Sequence, residues 1–388
     1  MNKAIPFVTD QQHRETGEQK KLLSELLSTA NITINGQAPW DMRIHDDQVY
    51  ARILHQGSLG AGESYMDGLW EAEKLDDFFC RILKFNVSHK IYTFNKFRLL
   101  ISIAKYRLLN QQTKSRAWQV GERHYDIGND LFEVMLDPSM SYSCAYWQGA
   151  QTLAQAQQNK LDLICRKLQL QAGEKLLDIG CGWGGLAEYA AKHYQVEVTG
   201  VTISKEQCAL AQQRCRNLPV EILLRDYRDL QGSYDKIVSV GMFEHVGTKN
   251  YPRFFNITRR LLKDKGLFLL HTIGEHTKLS FADPWIQKYI FPNGKIPSSR
   301  ALRQALRKRF VIKDWHTFGN DYDRTLLAWW NNFQGGWPEL QSKYGERFYR
   351  MWKYYLLSCA GYFRSQQGLL WQVVLSKPNY NIVYHSVR

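Results

Sequence analysis

The stretch Lys175-Leu176-Leu177-Asp178-Ile179-Gly180-Cys181-Gly182-Trp183-Gly184-Gly185 decides the fold of this chain. It begins as a short apolar strand that ends in an acid, and four glycines follow within six residues. Residues 186–191 then have a helical pattern. Glycine lets the backbone turn sharply and approach a ligand closely, and a helix that begins there presents free N–H groups to an anion. We interpret the stretch as a cofactor-binding loop of an α/β sheet.

Two kinds of cofactor fit such a loop. Its glycines satisfy the dinucleotide pattern G-x-G-x-x-G, which by itself is a weak signal. A nicotinamide or flavin site needs an acid at the tip of the next strand, but that strand, 196–201, continues into Thr202-Ile203-Ser204. Asp178, just before the first glycine, is typical of S-adenosylmethionine (SAM) methyltransferases. The residues favour SAM over a dinucleotide and over a turn that only packs a strand on a helix.

Strands and helices alternate from Trp118 onward, which predicts a parallel sheet with right-handed crossovers and ligands at the carboxyl ends of its strands. We therefore expect an α/β, doubly wound, Rossmann-like sheet of the class I SAM methyltransferase type, with a smaller, mainly helical N-terminal domain. The boundary is predicted between residues 1–115 and 116–388, and the glycine-rich segment 57–65 is predicted to be a loop. The predicted strands are 175–179, 196–201, 221–224, 235–240 and 266–272, and the main helices are about 154–168 and 205–216.

Positive charge is concentrated in two segments without acids. The net charge is +14, and residues 79–121 mix basic side chains with large apolar ones. A second acid-free segment, 284–313, contains Arg300, Arg303, Arg307, Lys308 and Arg309. Such segments suit anionic lipid, nucleic acid or a solvated surface, and charge alone does not choose among them.

The remaining composition indicates a protein of the cytoplasm. The seven cysteines include no CxxC pair, which indicates reduced thiols and no metal site. We expect no signal peptide, because residues 1–19 lack an apolar core, and no run of about 18 apolar residues is present to span a bilayer.

Several polar residues follow the predicted strands and should meet at one edge of the sheet. Asp178, Thr202 and Asp226 follow the first three strands, and Asp226 is placed to receive an adenine amine. Gln207 is read equally well as a cofactor contact or as part of a helix cap with Ser204. Further residues at this edge are Gly180, Tyr227, Glu244, His245 and His271. Glu244 and His271 could each be structural, but their joint position above the cofactor loop favours catalysis.

Motifs along nearly the whole chain resemble those of the cyclopropane-fatty-acyl-phospholipid synthases and of the related mycolic acid cyclopropane synthases. The tyrosine-serine-cysteine, glutamate and histidine motifs are specific to this family, whereas the glycine loop alone is not. The matching segments are 57–68, His124-Tyr125-Asp126, Tyr142-Ser143-Cys144-Ala145-Tyr146-Trp147, the glycine loop, 201–204, Gly241-Met242-Phe243-Glu244-His245, His271-Thr272-Ile273-Gly274, Phe291-Pro292-Asn293-Gly294, 319–323 and Leu370-Trp371-Gln372-Val373-Val374.

The resemblance implies two sets of site residues. Those that contact SAM are Tyr142, Ser143, Gly180, Gly182, Thr202 and Gln207, with Tyr227 against the adenine. Those that hold a bicarbonate ion are Cys144, Glu244, His271, Ile273 through its backbone, and Tyr322.

The activity that the resemblance implies is methylene transfer from SAM to a cis double bond in a membrane phospholipid. Methyl transfer would leave a carbocation, and proton removal by bicarbonate would close a cyclopropane ring. The expected partners are an anionic phospholipid bilayer and a second copy of the chain, with no nucleic acid, and the expected location is the inner face of the cell membrane.

Three alternatives remain open at this stage. One is methylation of the lipid alkene without ring closure. Another is an RNA methyltransferase, although the chain has Gly241-Met242-Phe243-Glu244-His245 where a base-stacking N/D-P-P-Y/F signature is expected. The third is a binding protein that retains the cofactor loop without catalysis.

Overall fold

The computed structural model describes residues 6–87, 128–276 and 283–388. The chain divides into two compact units. The first is Met1–Leu109, Asp283–Ile290 and Trp337–Gln367, and the second is Asn110–Ala282, Phe291–Gly336 and Gly368–Arg388. The first unit therefore takes two segments from the C-terminal half of the chain, which the contiguous sequence division did not anticipate. The predicted boundary at 115 and 116, most of the basic segment 79–121 and the motif at His124 lie outside the described residues.

The first unit is mainly helical in its described residues. Its bounds are α1 (Pro6–Ser28), β1 (Arg43–Ile44), α2 (Gln48–Gln56), α3 (Ser58–Met66), β2 (Trp70–Glu71), α4 (Leu75–Lys84), α10 (Pro284–Tyr289) and α13 (Glu346–Arg364). The two short strands pair antiparallel.

Helix α3 corrects the prediction of a loop at 57–65. Its glycines are sites of close packing within a helix. A Cβ on Gly60 would lie 2.0 Å from the carbonyl oxygen of Arg52, and one on Gly62 would lie 2.3 Å from Cδ1 of Trp285. Only a residue without a side chain fits at such distances, so the glycine content reflects tertiary contacts that local sequence does not reveal.

Helices α4 and α13 pack closely although about 280 residues of sequence separate them. A Cβ on Gly361 would lie 2.6 Å from the carbonyl oxygen of Asp76. Arg364 ends α13 and bonds the carboxylates of Asp76 and Asp77, at 2.7 and 2.5 Å. The N-terminal segment is therefore completed by residues near the end of the chain.

The second unit contains the predicted sheet. The strands of this sheet are β3 (Lys175–Ile179), β4 (Glu197–Thr202), β5 (Val220–Leu224), β6 (Tyr234–Val240), β7 (Leu262–Gly274), β8 (Val311–Thr317) and β9 (Leu369–Ser376). Across the sheet they have the order β5-β4-β3-β6-β7-β9-β8. Its helices are α5 (Asn129–Met135), α6 (Leu153–Leu168), α7 (Gly185–Tyr194), α8 (Lys205–Arg214), α9 (Tyr251–Leu261) and α11 (Ser299–Leu306), and α12 (Asn320–Tyr344) begins in this unit.

Apolar side chains cover both faces of this sheet. One face packs against α6, α7 and α8 through residues such as Ile164, Ala187 and Ala211. The other packs against α9 and α11, where Phe254 and Leu302 are fully buried. Helices on both faces confirm the doubly wound α/β fold.

The sheet differs from the prediction at one edge, because it is mixed. The strands β3 to β7 pair in parallel, but β9 pairs antiparallel with both β7 and β8. Strand β9 lies between β7 and β8 and is buried over most of its length. Apart from Gln372 and Ser376 its residues are apolar on both faces, so the sequence carries no signal of strand direction.

Candidate functional site

One cavity lies at the carboxyl ends of the central parallel strands. All nine residues that the sequence predicts for cofactor binding line it: Tyr142, Ser143, Asp178, Gly180, Gly182, Thr202, Gln207, Asp226 and Tyr227. A ligand at this edge follows the general rule for open α/β sheets.

The glycine loop has the backbone geometry of a ligand cradle. Gly180, Gly182 and Gly184 have φ values of 83, 54 and 82°, in the left-handed region that favours glycine. A Cβ on Gly182 would meet no atom within 4 Å, which leaves room for a ligand against the backbone. Helix α7 begins at Gly185, so its positive end lies at the loop.

Gln207 takes part in the helix cap, and its side chain also lines the cavity. Its backbone N–H donates to the Oγ of Ser204, which caps α8. Its side-chain Oε1 accepts a hydrogen bond of 3.0 Å from the Oγ1 of Thr202. The cap fixes the start of the helix, and the side chain remains at the cavity with Thr202.

Asp226 and Tyr227 are held firmly beside the cavity. The carboxylate of Asp226 accepts from the backbone N–H of Arg228 at 2.9 Å and from its Nε at 2.8 Å. The ring of Tyr227 packs edge-on against Phe254 with 5.3 Å between the ring centroids, within the range of roughly 4.5–7 Å that aromatic pairs prefer. The acid is thus oriented by the neighbouring arginine, a contact that sequence did not predict.

Lys160 is a cavity residue that the sequence reasoning missed. It is 2% exposed, and its Nζ donates to the Oγ of Ser143 at 3.0 Å. Burial lowers the pKa of Lys160 to about 8, although Asp137 and Asp178 act in the opposite direction. Burial likewise raises the pKa of Asp178 to about 7, against the effect of Lys160. A lysine on the apolar side of the predicted helix 154–168 was the available signal.

Glu244 and His271 each have one buried polar atom that makes no hydrogen bond to the described residues. Glu244 lies in a short 3₁₀ helix after β6, and its Oε1 accepts from the backbone N–H of Ile273 at 2.7 Å. Its Oε2 is buried and, within the described residues, makes no hydrogen bond. His271 precedes Ile273 by two positions on β7, a spacing of about 7 Å on the same face of a strand. Its Nε2 is also buried without a partner in the described part of the chain.

Burial sets the protonation of this pair. It raises the pKa of Glu244 to about 7, against the hydrogen bond from Ile273. The pKa of His271 lies well below 6.5 because of burial and then because of the positive charges of Lys160 and Lys167. The imidazole is therefore neutral at neutral pH, and the carboxyl group is able to exchange a proton there.

The start of α12 contacts the segment that contains Cys144. Cys144 is fully buried, and the backbone N–H of the next residue, Ala145, donates to the Oγ1 of Thr325 at 3.1 Å. The rings of Tyr142 and Tyr322 each pack against Trp329, at centroid distances of 5.2 and 6.0 Å. Within the described residues, the cavity lining includes none of the five predicted catalytic residues, Cys144, Glu244, His271, Ile273 and Tyr322. Of these five, Glu244 and Ile273 are joined by a hydrogen bond, and the catalytic role of the set stays a prediction.

Comparisons with known proteins extend over most of the chain. A family model described as "Mycolic acid cyclopropane synthetase" matches residues 112–373. The chain is 55% identical over 357 residues to the "Cyclopropane-fatty-acyl-phospholipid synthase" of Escherichia coli (strain K12), a match that covers 92% of this chain and 93% of that protein. It is 38% identical over 269 residues to a "Probable fatty acid methyltransferase" of Pseudomonas putida, which covers 66% of this chain and 68% of that protein.

Solved structures agree with this likeness. The mycolic acid cyclopropane synthase CmaA1, complexed with SAH and CTAB, matches with a TM-score of 0.62 and 33% identity, covering 67% of this chain and 98% of that chain.

Proposed function

The chain belongs to the mycolic acid cyclopropane synthetase family, and we propose that it transfers a methylene group from SAM to the cis double bond of an unsaturated acyl chain in phospholipid. The observation that carries this proposal is the 55% identity, over 92% of the chain, to the cyclopropane-fatty-acyl-phospholipid synthase of E. coli. From this identity the chain is a SAM-dependent methyltransferase that forms cyclopropane rings in lipid.

The cavity residues fit SAM as the methyl donor. SAM, when bound, supplies a methyl group on a sulfonium centre. The glycine loop would accommodate its amino-acid tail, and the ammonium of Lys160, with Ser143, would pair with the carboxylate of that tail. Thr202 and Gln207 would orient the ribose, and Asp226 and Tyr227 the adenine. Such positioning matters because an alkene is a weak nucleophile and reacts only when it lies in line with the methyl group.

The unpartnered atoms of Glu244 and His271 fit a small oxyanion such as bicarbonate. The Nε2–H of a neutral His271 would donate to one of its oxygens, and the carboxylate of Glu244 would accept from its hydroxyl. The Cys144 backbone and the Tyr322 hydroxyl would complete the pocket. Bicarbonate supplies a base that a lipid carbocation alkylates less readily than a side-chain carboxylate, and proton removal closes the ring.

Aromatic faces would stabilise the lipid carbocation before the proton is removed. Tyr142 and Tyr322 flank Trp329, and each aromatic face contributes on the order of 1–2 kcal/mol to a cation when water is excluded.

The substrate requires contact with a bilayer, and two basic segments suit that contact. No helix in the described ranges is long and apolar enough to cross a membrane. We assign the segment 79–121 and the cluster Arg300–Arg309 to anionic lipid on the inner face of the cell membrane. The N-terminal residues 1–115 would serve in lipid binding and in homodimer formation, and the catalytic domain would comprise 116–388.

Mass spectrometry of lipid vesicles tests the proposed activity. Vesicles of cis-unsaturated phosphatidylethanolamine and phosphatidylglycerol are incubated with the protein and SAM. The expected result is a gain of one CH₂ per reacted chain with loss of the alkene, detected by ozonolysis. No change in mass, with the alkene intact, would refute the lipid substrate and make RNA the next substrate to test.

The same products separate ring formation from simple methylation. A gain of CH₂ with the alkene retained, or a gain of a methyl and a hydroxyl group, would identify a methyltransferase without ring closure. The 38% identity to the fatty acid methyltransferase of P. putida makes this the second candidate.

Glu244→Gln tests the oxyanion pocket separately from SAM binding. We expect methylene transfer to fall at least a hundredfold, because the amide cannot accept and return the proton in the same way, while the affinity for SAH stays within twofold. An ordinary rate in this variant would contradict the role of Glu244.

A further inference from the structure

Three polar side chains lie side by side on three neighbouring strands behind the oxyanion pocket. Gln372 on β9 is paired in register with His271 on β7 and with His316 on β8. Directly opposed residues have side chains on the same face, about 5 Å apart at Cβ. Gln372 is thus the middle member of a polar row in a sheet that is otherwise apolar at this level.

In the hydrogen bonds of this row, the donor and the acceptor can be assigned. The Nε2 of Gln372 lies 3.2 Å from the Nδ1 of His271. At the other side, the Nζ of Lys167 lies 2.9 Å from the Nδ1 of His316 and 3.5 Å from the carboxylate of Asp314. An amide nitrogen and an ammonium can only donate, so both imidazoles accept at Nδ1. With the amide of Gln372 oriented as it is in the structure, the proton of neutral His271 is on Nε2, which has no hydrogen-bond partner within the described residues.

We propose that Gln372 is a positioning residue that holds His271 in its Nε2–H tautomer, so that this nitrogen donates to the bound oxyanion. The inference rests on the proposed function for the identity of that oxyanion. Which nitrogen carries the proton is set by the hydrogen bond that the other nitrogen makes, and Gln372 makes that bond here.

A buried amide at this position is destabilising in itself. Gln372 has no exposed surface, and its Oε1 is buried without a partner in the described residues. An unpaired buried acceptor destabilises the fold, because it has lost its hydrogen bonds to water. The apolar neighbours Trp371 and Val373 on the same strand belong to the core on the opposite face, and a leucine at 372 would extend the apolar surface at lower cost.

The surroundings of His271 favour a neutral imidazole. Burial is the largest cause that lowers the pKa of His271, and Lys160 and Lys167 on α6 and His316 on β8 lower it further. The carboxyl group of Glu244 is bonded to the backbone of Ile273. The edge of the ring of Phe318 fills the remaining side at 5.9 Å. Because Gln372 is uncharged, it orients the ring without attracting a second proton.

NMR of protein labelled with ¹⁵N-histidine tests the tautomer directly, without any turnover. His271→Asn identifies the signal of His271, and the wild type should show the Nε2–H tautomer from pH 6 to 9. In Gln372→Leu, and in Gln372→Met should the first variant fold poorly, the signal should move toward a mixture of tautomers. An Nδ1–H tautomer in the wild type, or an unchanged tautomer in both variants, would overturn the proposal.

Gln372→Glu adds a readout in the pH profile. A carboxylate at this position would accept from Nδ1–H and raise the pKa of His271. Below that pKa both nitrogens carry protons and Nε2 still donates; above it the proton stays on Nδ1 and Nε2 loses its donor. Activity should therefore fall at least tenfold as the pH rises through the new pKa, and wild type should lack this loss.

A matched control is Gln212→Glu, a partly buried glutamine that bonds the carbonyl of Ile222. It should leave the pH profile unchanged. If the wild type fails in the vesicle assay, the proposed function is wrong while the NMR result still stands; if the assay succeeds and the tautomer does not respond, only the role of Gln372 is wrong.

Discussion

Replacement of Lys160 by methionine should stabilise the ligand-free protein while it weakens cofactor binding. The ammonium is almost fully buried, and burial lowers the pKa of Lys160 from 10.5 to about 8. At about 1.4 kcal/mol for each pKa unit, this corresponds to about 3 kcal/mol of stability lost at neutral pH. Methionine fills a similar volume without the charge. For a unit of this size the melting temperature should rise by about 5–10 °C.

The pH dependence identifies the charge as the cause. Because the pKa is lower in the folded state, both states are protonated below pH 8, and the folded state carries the full cost there. As the pH rises through 8 the folded protein releases the proton first, and the cost vanishes above about 10.5. The stability difference between Lys160→Met and wild type should therefore be largest at pH 6–7 and shrink steadily from pH 8 to 10.

Urea unfolding at several pH values and calorimetric titration with SAH measure the two effects. We expect SAH to bind at least about tenfold more weakly, because a charge-assisted hydrogen bond contributes about 1.5–3 kcal/mol. Lys192→Met is the control, since that lysine is exposed and paired with Glu188 four residues earlier; its stability should change by less than about 0.5 kcal/mol. A destabilised Lys160→Met, or a stability difference that is independent of pH, would refute the reasoning.

Three further predictions concern packing, charge and the membrane. Gly62→Ala should destabilise the first unit by about 1–3 kcal/mol in thermal unfolding, because its Cβ would lie 2.3 Å from the Trp285 indole; Gly17→Ala, with open space around the Cβ, is the control and should not destabilise. Asp314→Asn should lower stability at pH 7, because Lys167 loses its carboxylate partner; since the pKa of Asp314 is lowered in the folded state, this difference should fade as the pH falls below about 3.8. Raising NaCl from 50 to 500 mM should release the protein from anionic vesicles in a sedimentation assay, and binding that ignores both salt and anionic lipid would contradict the basic-surface assignment.

The sequence predicts the central sheet well because its signals are local. The predicted segments 175–179, 196–201, 221–224, 235–240 and 266–272 are short runs rich in apolar residues, each with turn residues or a helix beside it. The glycine loop at 180–185 marks the cofactor edge. The nine predicted cofactor residues line one cavity because parallel strands in register bring their carboxyl ends together. Residues that are far apart in the sequence but follow neighbouring parallel strands therefore lie close together in the structure.

Features that depend on distant contacts were not predictable. The glycines of α3 are typical of a loop in the sequence, and their role becomes clear only from their tertiary contacts with Arg52 and Trp285. The antiparallel direction of β9 depends on its place between β7 and β8, and its burial removes the alternation that would mark it. Lys160 was missed because a lysine in a helix is usually exposed. Its burial is evident only from the three-dimensional structure, in which it contacts Ser143 at the cavity.

The late contribution of α13 to the first unit sets the order in which the chain can fold during synthesis. Residues 75–84 leave the ribosome early, but their partners Gly361 and Arg364 follow only after some 280 more have been added. Until then the buried side of α4 faces solvent or a chaperone. Helix α4 is therefore made early but covered late, and a fragment that stops at residue 115 would lack the residues of α13 that cover it.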